Sequence, residues 1–284
     1  MMKRVGVVGC GLMGSGIAQI AALAGYSVLV TEINDEILKK GLASIDDFLE
    51  RGKKRGKVTD EQIATVKKNL SSSTQLSALK DCDLIIEAVT ENTELKKDLF
   101  KKLSDIARPD TILATNTSSI SITEIATAVK NPERVVGMHF FNPVPIMKLV
   151  EIIKGVATTD AVMSQCREFA LAVGKEPITC PDTPAFVVNK LLIPYLLDAI
   201  RMVQDGVATA EDVDKAMVHG CGYPMGPITL LDYVGLDTTL HAADVMYAEF
   251  GESRYAAPVL LRRMVQAGRY GRKTGRGFYD YAKK

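Results

Sequence analysis

His139 and Glu151 lie in apolar runs on either side of the proline-rich bend of "MHFFNPVPIMKLVEII", residues 138–153. Counting inward from both, the midpoint is Pro145, so two strands that fold back on each other leave these residues opposite or nearly so. Directly opposed residues bring their Cβ atoms to about 5 Å, within reach of a carboxylate–imidazole hydrogen bond. Such an imidazole is a candidate general base, and the same pair is also compatible with a structural ion pair at a sheet edge. A second stretch with chemical potential is "GVVGCGLMGSG". There Gly9, Cys10, Gly11, Leu12, Met13 and Gly14 form a GxGxxG turn after a strand pattern and at the opening of a helix. In that setting the first glycine permits the tight turn, the second lets the backbone approach a pyrophosphate, and the third lets helix pack closely on strand. Glu32 closes the next strand pattern, where a carboxylate accepts hydrogen bonds from an adenosine ribose and repels an added 2′-phosphate. NAD is therefore the expected cofactor, in preference to NADP.

The elements that must position these residues follow from hydrophobic periodicity. Short runs rich in β-branched residues, "VGVVG", "SVLVTE", "DLIIEAV", "TILATN" and "VVGMHF", alternate with helical patterns, which predicts a parallel sheet with crossover helices. Between about residues 34 and 70 two helical segments follow one another without a strand, joined by the basic run "RGKKRGK" at residues 51–57. This reads as a helical arm. After "EPITCP" the strand signals stop, and from Pro184 the pattern is helical, with an apolar stripe at Ala185, Leu192, Leu196, Ala199 and Val203. Asn189 falls within that stripe, where a buried amide needs a partner, either a neighbouring helix or a ligand. The expected architecture is α/β: a Rossmann-type doubly wound sheet with a helical arm, residues 1–183, followed by an all-helical C-terminal domain, residues 184–284.

A nicotinamide cofactor carries the hydride, so the protein must supply a proton acceptor and a hold on the substrate. The chain has three histidines. His219 sits beside a turn in the helical half and His241 in a helical pattern, whereas His139 ends a strand near the carboxyl edge, where sheets of this type bind ligands. This favours the functional reading of His139.

Composition narrows the remaining choices. With 284 residues, 47% of them hydrophobic, and a formal net charge of +1, the chain has ample core and no global charge that would suit nucleic acid or a membrane surface. The five cysteines, Cys10, Cys82, Cys166, Cys180 and Cys221, are scattered without a metal-ligand spacing, so no metal is expected and they read as buried free thiols of a cytoplasmic protein. A strand pattern that begins at "KRVGVVG" leaves no room for a leader, and no apolar run reaches the roughly 18 residues of a spanning helix.

Over nearly its whole length the chain resembles the short-chain L-3-hydroxyacyl-CoA dehydrogenases, the bacterial 3-hydroxybutyryl-CoA dehydrogenases among them. The resemblance rests on "GCGLMGSGIA", "NTSS" at 116–119, "HFFNPVPIMKLVEII", "DTPAFVVNKLLIPYL" at 182–196, "GCGYPMGPITLLDYVGLD" at 220–237 and "GRKTGRGFYDY". It implies NAD-dependent oxidation of (S)-3-hydroxybutyryl-CoA to acetoacetyl-CoA and the reverse reduction. His139 looks like the catalytic base, Glu151 like its partner, and Ser118 and Asn189 like the groups that hold the reacting end of the substrate. On the cofactor side the resemblance implies Glu32 at the ribose, Glu91 and Lys96 near the nicotinamide half, Asn116 or Ser118 beside the ring, and Lys273 as a further contact. The family uses the arm for the phosphates of coenzyme A. A serine offered there by mammalian relatives aligns with Phe48, which leaves Lys53, Lys54 and Arg55 as candidates. The resemblance further implies a substrate cleft and a homodimer contact in the helical domain. Two rivals fit less well: a dehydrogenase of the 6-phosphogluconate type lacks the His139–Glu151 pair, and a binding protein without turnover needs none of the four catalytic candidates.

Overall fold

The computed structural model describes residues 2–282, and the chain divides into two compact units, Met1–Thr183 and Pro184–Lys284. The first unit runs β1 (Arg4–Val8), α1 (Leu12–Leu23), β2 (Ser27–Thr31), α2 (Asp35–Lys54), α3 (Asp60–Asn69), β3 (Leu70–Ser73), β4 (Leu84–Glu87), α4 (Thr93–Ile106), β5 (Ile112–Thr115), α5 (Ile122–Ala126), β6 (Val135–Phe140), β7 (Leu149–Lys154), α6 (Asp160–Ala172) and β8 (Glu176–Pro181). The strands form one sheet in the order β3-β2-β1-β4-β5-β6-β7-β8. β1 to β6 are parallel, β7 is antiparallel to β6, and β8 runs parallel to β7. The strand order reverses between β1 and β4. Loops at the carboxyl ends of those two strands diverge there and leave a crevice, the usual place for a dinucleotide.

Alternation along each strand sorts side chains between the two faces of the sheet. Val5 and Val7, Leu84 and Ile86, and Val136, Met138 and Phe140 join one core with Ile17 of α1, Leu38 and Ile45 of α2, and Phe169 of α6. Ile85, Leu113 and Val135 lie out of phase with these, on the face of α4 and α5, and are equally buried. Both faces being covered, the sheet is doubly wound, as the run of apolar strands and crossover helices implies.

The arm is the pair α2 and α3. Asn34 caps α2 by accepting from the Ile37 N–H at 2.9 Å, with Asp35 and Glu36 in the first turn and Arg51, Lys53 and Lys54 in the last, each sign matched to the helix dipole. Thr59 and Gln62 form a reciprocal capping box at the start of α3. The short edge strand β3 has no apolar signal in "LSSS" and is absent from the sequence reading. Its register with β2 and a 2.9 Å bond from Ser71 Oγ to the Val28 carbonyl hold it in the sheet.

The second unit contains α7 (Val188–Gln204), α8 (Ala210–Lys215), α9 (Pro227–Val234), α10 (Leu236–Phe250) and α11 (Val259–Gln266). Leu196, Leu197, Ile200, Leu231, Leu236 and Met246 fill its core. Two buried carboxylates tie it together: Asp214 accepts from the Ile228 and Thr229 N–H groups and the Tyr279 hydroxyl, and Asp232 accepts from the N–H groups of Phe278 and Tyr279. They pin the closing "GRGFYDY" segment onto α8 and α9.

Two expectations need correction. The helix read from Pro184 begins at Val188, because Ala185 and Phe186 take left-handed backbone conformations, φ 66° and 55°, that a helix excludes. Ala185 therefore precedes the helical stripe, although its side chain is buried in the same core. The cysteines are not all buried: Cys10, Cys82 and Cys166 are, but Cys180 is half-buried near the end of β8 and Cys221 is exposed in the turn after α8. Among the described residues no helix is long and apolar enough to cross a membrane.

Candidate active site

β6 and β7 pair with His139 directly across from Glu151. The imidazole Nδ1 lies 2.7 Å from Glu151 Oε2, with Glu151 wholly buried and His139 7% exposed. Alternation turns both away from the core that receives Met138, Phe140, Val150 and Ile152. The ring of Phe141 packs 4.5 Å from the imidazole, centroid to centroid.

The bend that joins these strands is braced by groups the sequence does not advertise. Lys175, buried just before β8, donates from Nζ to the carbonyls of Val144 and Met147 at 2.5 and 2.7 Å. Burial pulls its pKa below the ordinary lysine value. Val144 packs on α1 at Gly16, where an added Cβ would come within 2.7 Å of the Val144 Cβ. The side-chain oxygen of Asn116 accepts from the Phe140 N–H at 2.9 Å, so the loop after β5 holds the strand segment beside His139.

The glycine turn has the shape a pyrophosphate requires. Gly9 has φ +95°, and a Cβ there would lie 2.7 Å from the Ala88 carbonyl oxygen. A Cβ on Gly14 would sit 1.9 Å from the Gly9 carbonyl oxygen, so α1 can lie against the turn only with glycine at that position. Gly11 has open space at its Cβ position and caps α1 without a side-chain hydrogen bond, and no acidic residue occupies the first turn. The N–H groups there remain suited to an anion. Cys10 is buried, Leu12 is exposed and Met13 half-buried within the same turn. Glu32 follows β2 and accepts from the Cys10 N–H at 2.7 Å and the Ile33 N–H at 2.9 Å. These residues fit an NAD molecule on grounds of space, dipole and donor type.

At the carboxyl ends of β4 and β5 a charged network shapes the loop that bears Ser118. Glu91 Oε1 accepts from Thr117 Oγ1 at 2.6 Å, the Ser118 N–H at 2.8 Å, and the hydroxyls of Ser118 and Ser119, both at 3.2 Å. Burial disfavours its charge, but Lys96 and these hydrogen bonds outweigh that and hold the carboxyl below the usual glutamate range. Lys96 Nζ lies 2.6 Å from Glu87 Oε1 and 3.5 Å from Glu91 Oε2. Glu87 is wholly buried and also accepts from the Val89 N–H and Thr115 Oγ1, each at 2.7 Å. Removing one member of such a buried pair costs about 3–5 kcal/mol. Glu87 escapes a sequence reading because its partner lies nine residues on in another element; a glutamate closing an apolar run is the one available signal.

The remaining candidates belong to the arm and to the helical unit. Lys53, Lys54 and Arg55 are exposed at the end of α2, with Lys53 Nζ bound to Asp60 Oδ1 at 2.5 Å and Phe48 half-buried one turn earlier. In the helical unit Asn189 is half-buried in the first turn of α7, and Lys273 Nζ is bound to Asp237 Oδ2 at 2.6 Å. His219 and His241 are exposed. A cleft of about 760 Å³ lined by Met2, Tyr26, Asp83, Arg108 and Arg134 lies at the amino ends of the strands, away from His139 and the glycine turn.

Comparison with known proteins matches residues 4–183 to the NAD-binding domain of 3-hydroxyacyl-CoA dehydrogenase and residues 186–281 to its C-terminal domain. The chain is 49% identical over 282 residues to a 3-hydroxybutyryl-CoA dehydrogenase of Mycobacterium tuberculosis, covering 99% of each. It is 46% identical over 280 residues to one of Clostridioides difficile, covering 99% of this chain and all of the relative. The crystal structure of (S)-3-hydroxybutyryl-CoA dehydrogenase from Ralstonia eutropha superimposes with a TM-score of 0.97 at 42% identity, covering both chains completely. The chain belongs to the 3-hydroxyacyl-CoA dehydrogenase family.

Proposed function

We propose that the chain oxidises (S)-3-hydroxybutyryl-CoA to acetoacetyl-CoA with NAD, and catalyses the reverse reduction, with His139 and Glu151 as the acid–base pair. The observation that carries this reading is the buried 2.7 Å contact between His139 Nδ1 and Glu151 Oε2. A carboxylate only accepts, so the proton resides on Nδ1 and Nε2 is the nitrogen that takes the proton of the 3-hydroxyl. Glu151 holds the ring in that orientation and stabilises the imidazolium that forms. In reduction His139 returns the proton to the same oxygen. Bound NAD supplies the acceptor for the hydride that leaves the hydroxyl-bearing carbon. Glu32 receives the adenosine ribose and disfavours a 2′-phosphate, which sets the preference for NAD. Ser118, whose hydroxyl proton turns from Glu91 to the ligand while its N–H stays on that carboxylate, and Asn189 of α7 donate to the substrate's oxygens, while Lys96, Asn116 and Lys273 remain proposed cofactor contacts.

The basic end of α2 is the proposed handle for coenzyme A. Lys54 and Arg55 make no ion pair among the described residues, whereas Lys53 is engaged by Asp60. Following NADH absorbance tests the whole reading: acetoacetyl-CoA drives its oxidation, and a chain that consumes no NADH with this or longer 3-ketoacyl-CoA thioesters is not such an enzyme. In the same assay, neutralising Lys53, Lys54 and Arg55 together lowers kcat/KM for acetoacetyl-CoA by about tenfold at low salt, the scale of three exposed ionic contacts. The gap narrows as salt rises. A truncated thioester without the nucleotide is unaffected. Equal losses on both thioesters, or none, place coenzyme A elsewhere.

The helical unit is the proposed dimer contact. Leu191, Val207 and Val259 in this unit are 70%, 66% and 62% exposed, apolar surface that a symmetric partner would cover. Light scattering at micromolar concentration is expected to give twice the chain mass, and a single-chain mass contradicts the assignment.

A further inference from the structure

The cluster of Glu87, Lys96 and Glu91 contains more charge than holding a loop requires. One ammonium lies between two carboxylates, at 2.6 and 3.5 Å, and the other groups that the carboxylates bind are neutral: Thr115, Thr117, Ser118, Ser119 and the Val89 N–H. One negative charge is left over. Lys96 is 1% exposed and Glu87 wholly buried, so water screens this charge poorly. It sits at the carboxyl ends of β4 and β5, across the strand-order reversal from β2 and Glu32. A dinucleotide bound across that reversal, with its adenosine ribose at Glu32, has its second nucleotide on the side of the cluster.

We propose that the Glu87–Lys96–Glu91 cluster sets the relative affinity of the site for the two redox forms of its cofactor. The oxidised nicotinamide ring carries a positive charge and the reduced ring none, so a buried surplus of one negative charge favours NAD+ over NADH. Stabilising the oxidised form makes bound NADH the stronger hydride donor, so the bias at the hydride-transfer step acts toward 3-ketoacyl reduction. Glu87 acts here through charge and position and need not touch the cofactor. This rests on the dinucleotide reading of the glycine turn.

The test is calorimetric titration of the full chain with NAD+ and with NADH. Glu87→Gln keeps the side-chain shape and an acceptor for Lys96 but removes the surplus charge. The ratio Kd(NAD+)/Kd(NADH) then rises by about tenfold, the scale of one unit charge at an effective dielectric of about 20. Most of the change falls on NAD+. The double variant Glu87→Gln with Lys96→Met has one negative charge again, on Glu91, and its ratio returns to within about twofold of the unaltered protein. A scaffold role moves both affinities together and gives no such return. The proposal is overturned by an unchanged ratio in Glu87→Gln, by equal losses for both forms, or by a double variant whose ratio stays raised. Should Glu87→Gln fail to fold, Glu91→Gln makes the same change of charge from the partly exposed side of the cluster, and an unmoved ratio there is equally fatal. An unaltered protein that binds neither NAD+ nor NADH would instead sink the dinucleotide reading itself.

Discussion

Replacing His139 with glutamine lowers turnover by about 100-fold or more, the scale of losing a general base, while the dissociation constant for NADH changes by less than about threefold. The separation follows from geometry. His139 lies in β6, the third strand beyond the strand-order reversal, and its bonded partner is Glu151 rather than the glycine turn. Glutamine keeps a polar group that can donate to Glu151, so the buried carboxylate is not stranded. Comparing kcat in the NADH assay with NADH affinity by titration reads both quantities. Near-normal turnover in the variant would remove His139 from the mechanism.

Two glycines of the nucleotide turn are expected to weaken NADH binding when changed to alanine, only one of them at a cost in stability. In Gly14→Ala the new Cβ lies 1.9 Å from the carbonyl oxygen of Gly9 and 2.9 Å from its carbon. Both are backbone atoms, so either α1 or the turn must move. Overpacking of this kind costs about 1–3 kcal/mol or more. The protein without cofactor should melt about 5 °C lower or more, and NADH affinity should fall by at least about tenfold as the phosphate-binding N–H groups shift. Gly11→Ala meets nothing within 4 Å. Its melting point without cofactor stays within about 2 °C of the unaltered protein, yet NADH binding weakens because the methyl group enters the space the pyrophosphate needs. Thermal melting and NADH titration of the two variants distinguish these outcomes. A Gly14→Ala protein that melts normally contradicts the close packing of α1 on the turn.

The opposition of His139 and Glu151 is legible from residue types alone, because both flanking runs alternate in step about Pro145 and a shift by one residue would move one member to the other face. The glycine turn and Glu32 are legible for a similar reason: each answers a local steric or electrostatic demand that few residues satisfy. Elements specified by distant partners are not. β3 is held by ladder bonds to β2 rather than by its own side chains, and "LSSS" carries no pattern that announces it. The start of α7 is obscured because Ala185 and Phe186 read as helical and are held instead in left-handed conformations. Glu87 and Lys175 read as ordinary surface charges until the fold brings Lys96 to the first and the carbonyls of Val144 and Met147 to the second.

The acid–base pair is tested most directly by a double-mutant cycle in the NADH assay, measuring kcat/KM with acetoacetyl-CoA for His139→Gln, Glu151→Gln and the two combined. If Glu151 acts by orienting and stabilising the imidazole, it has nothing left to do once the imidazole is gone. The expected result is a loss of about 100-fold for His139→Gln, about tenfold for Glu151→Gln, and again about 100-fold for the combination. Losses that multiply, leaving the combined variant about 1000-fold down, would mean that the two residues act independently and would contradict the pair.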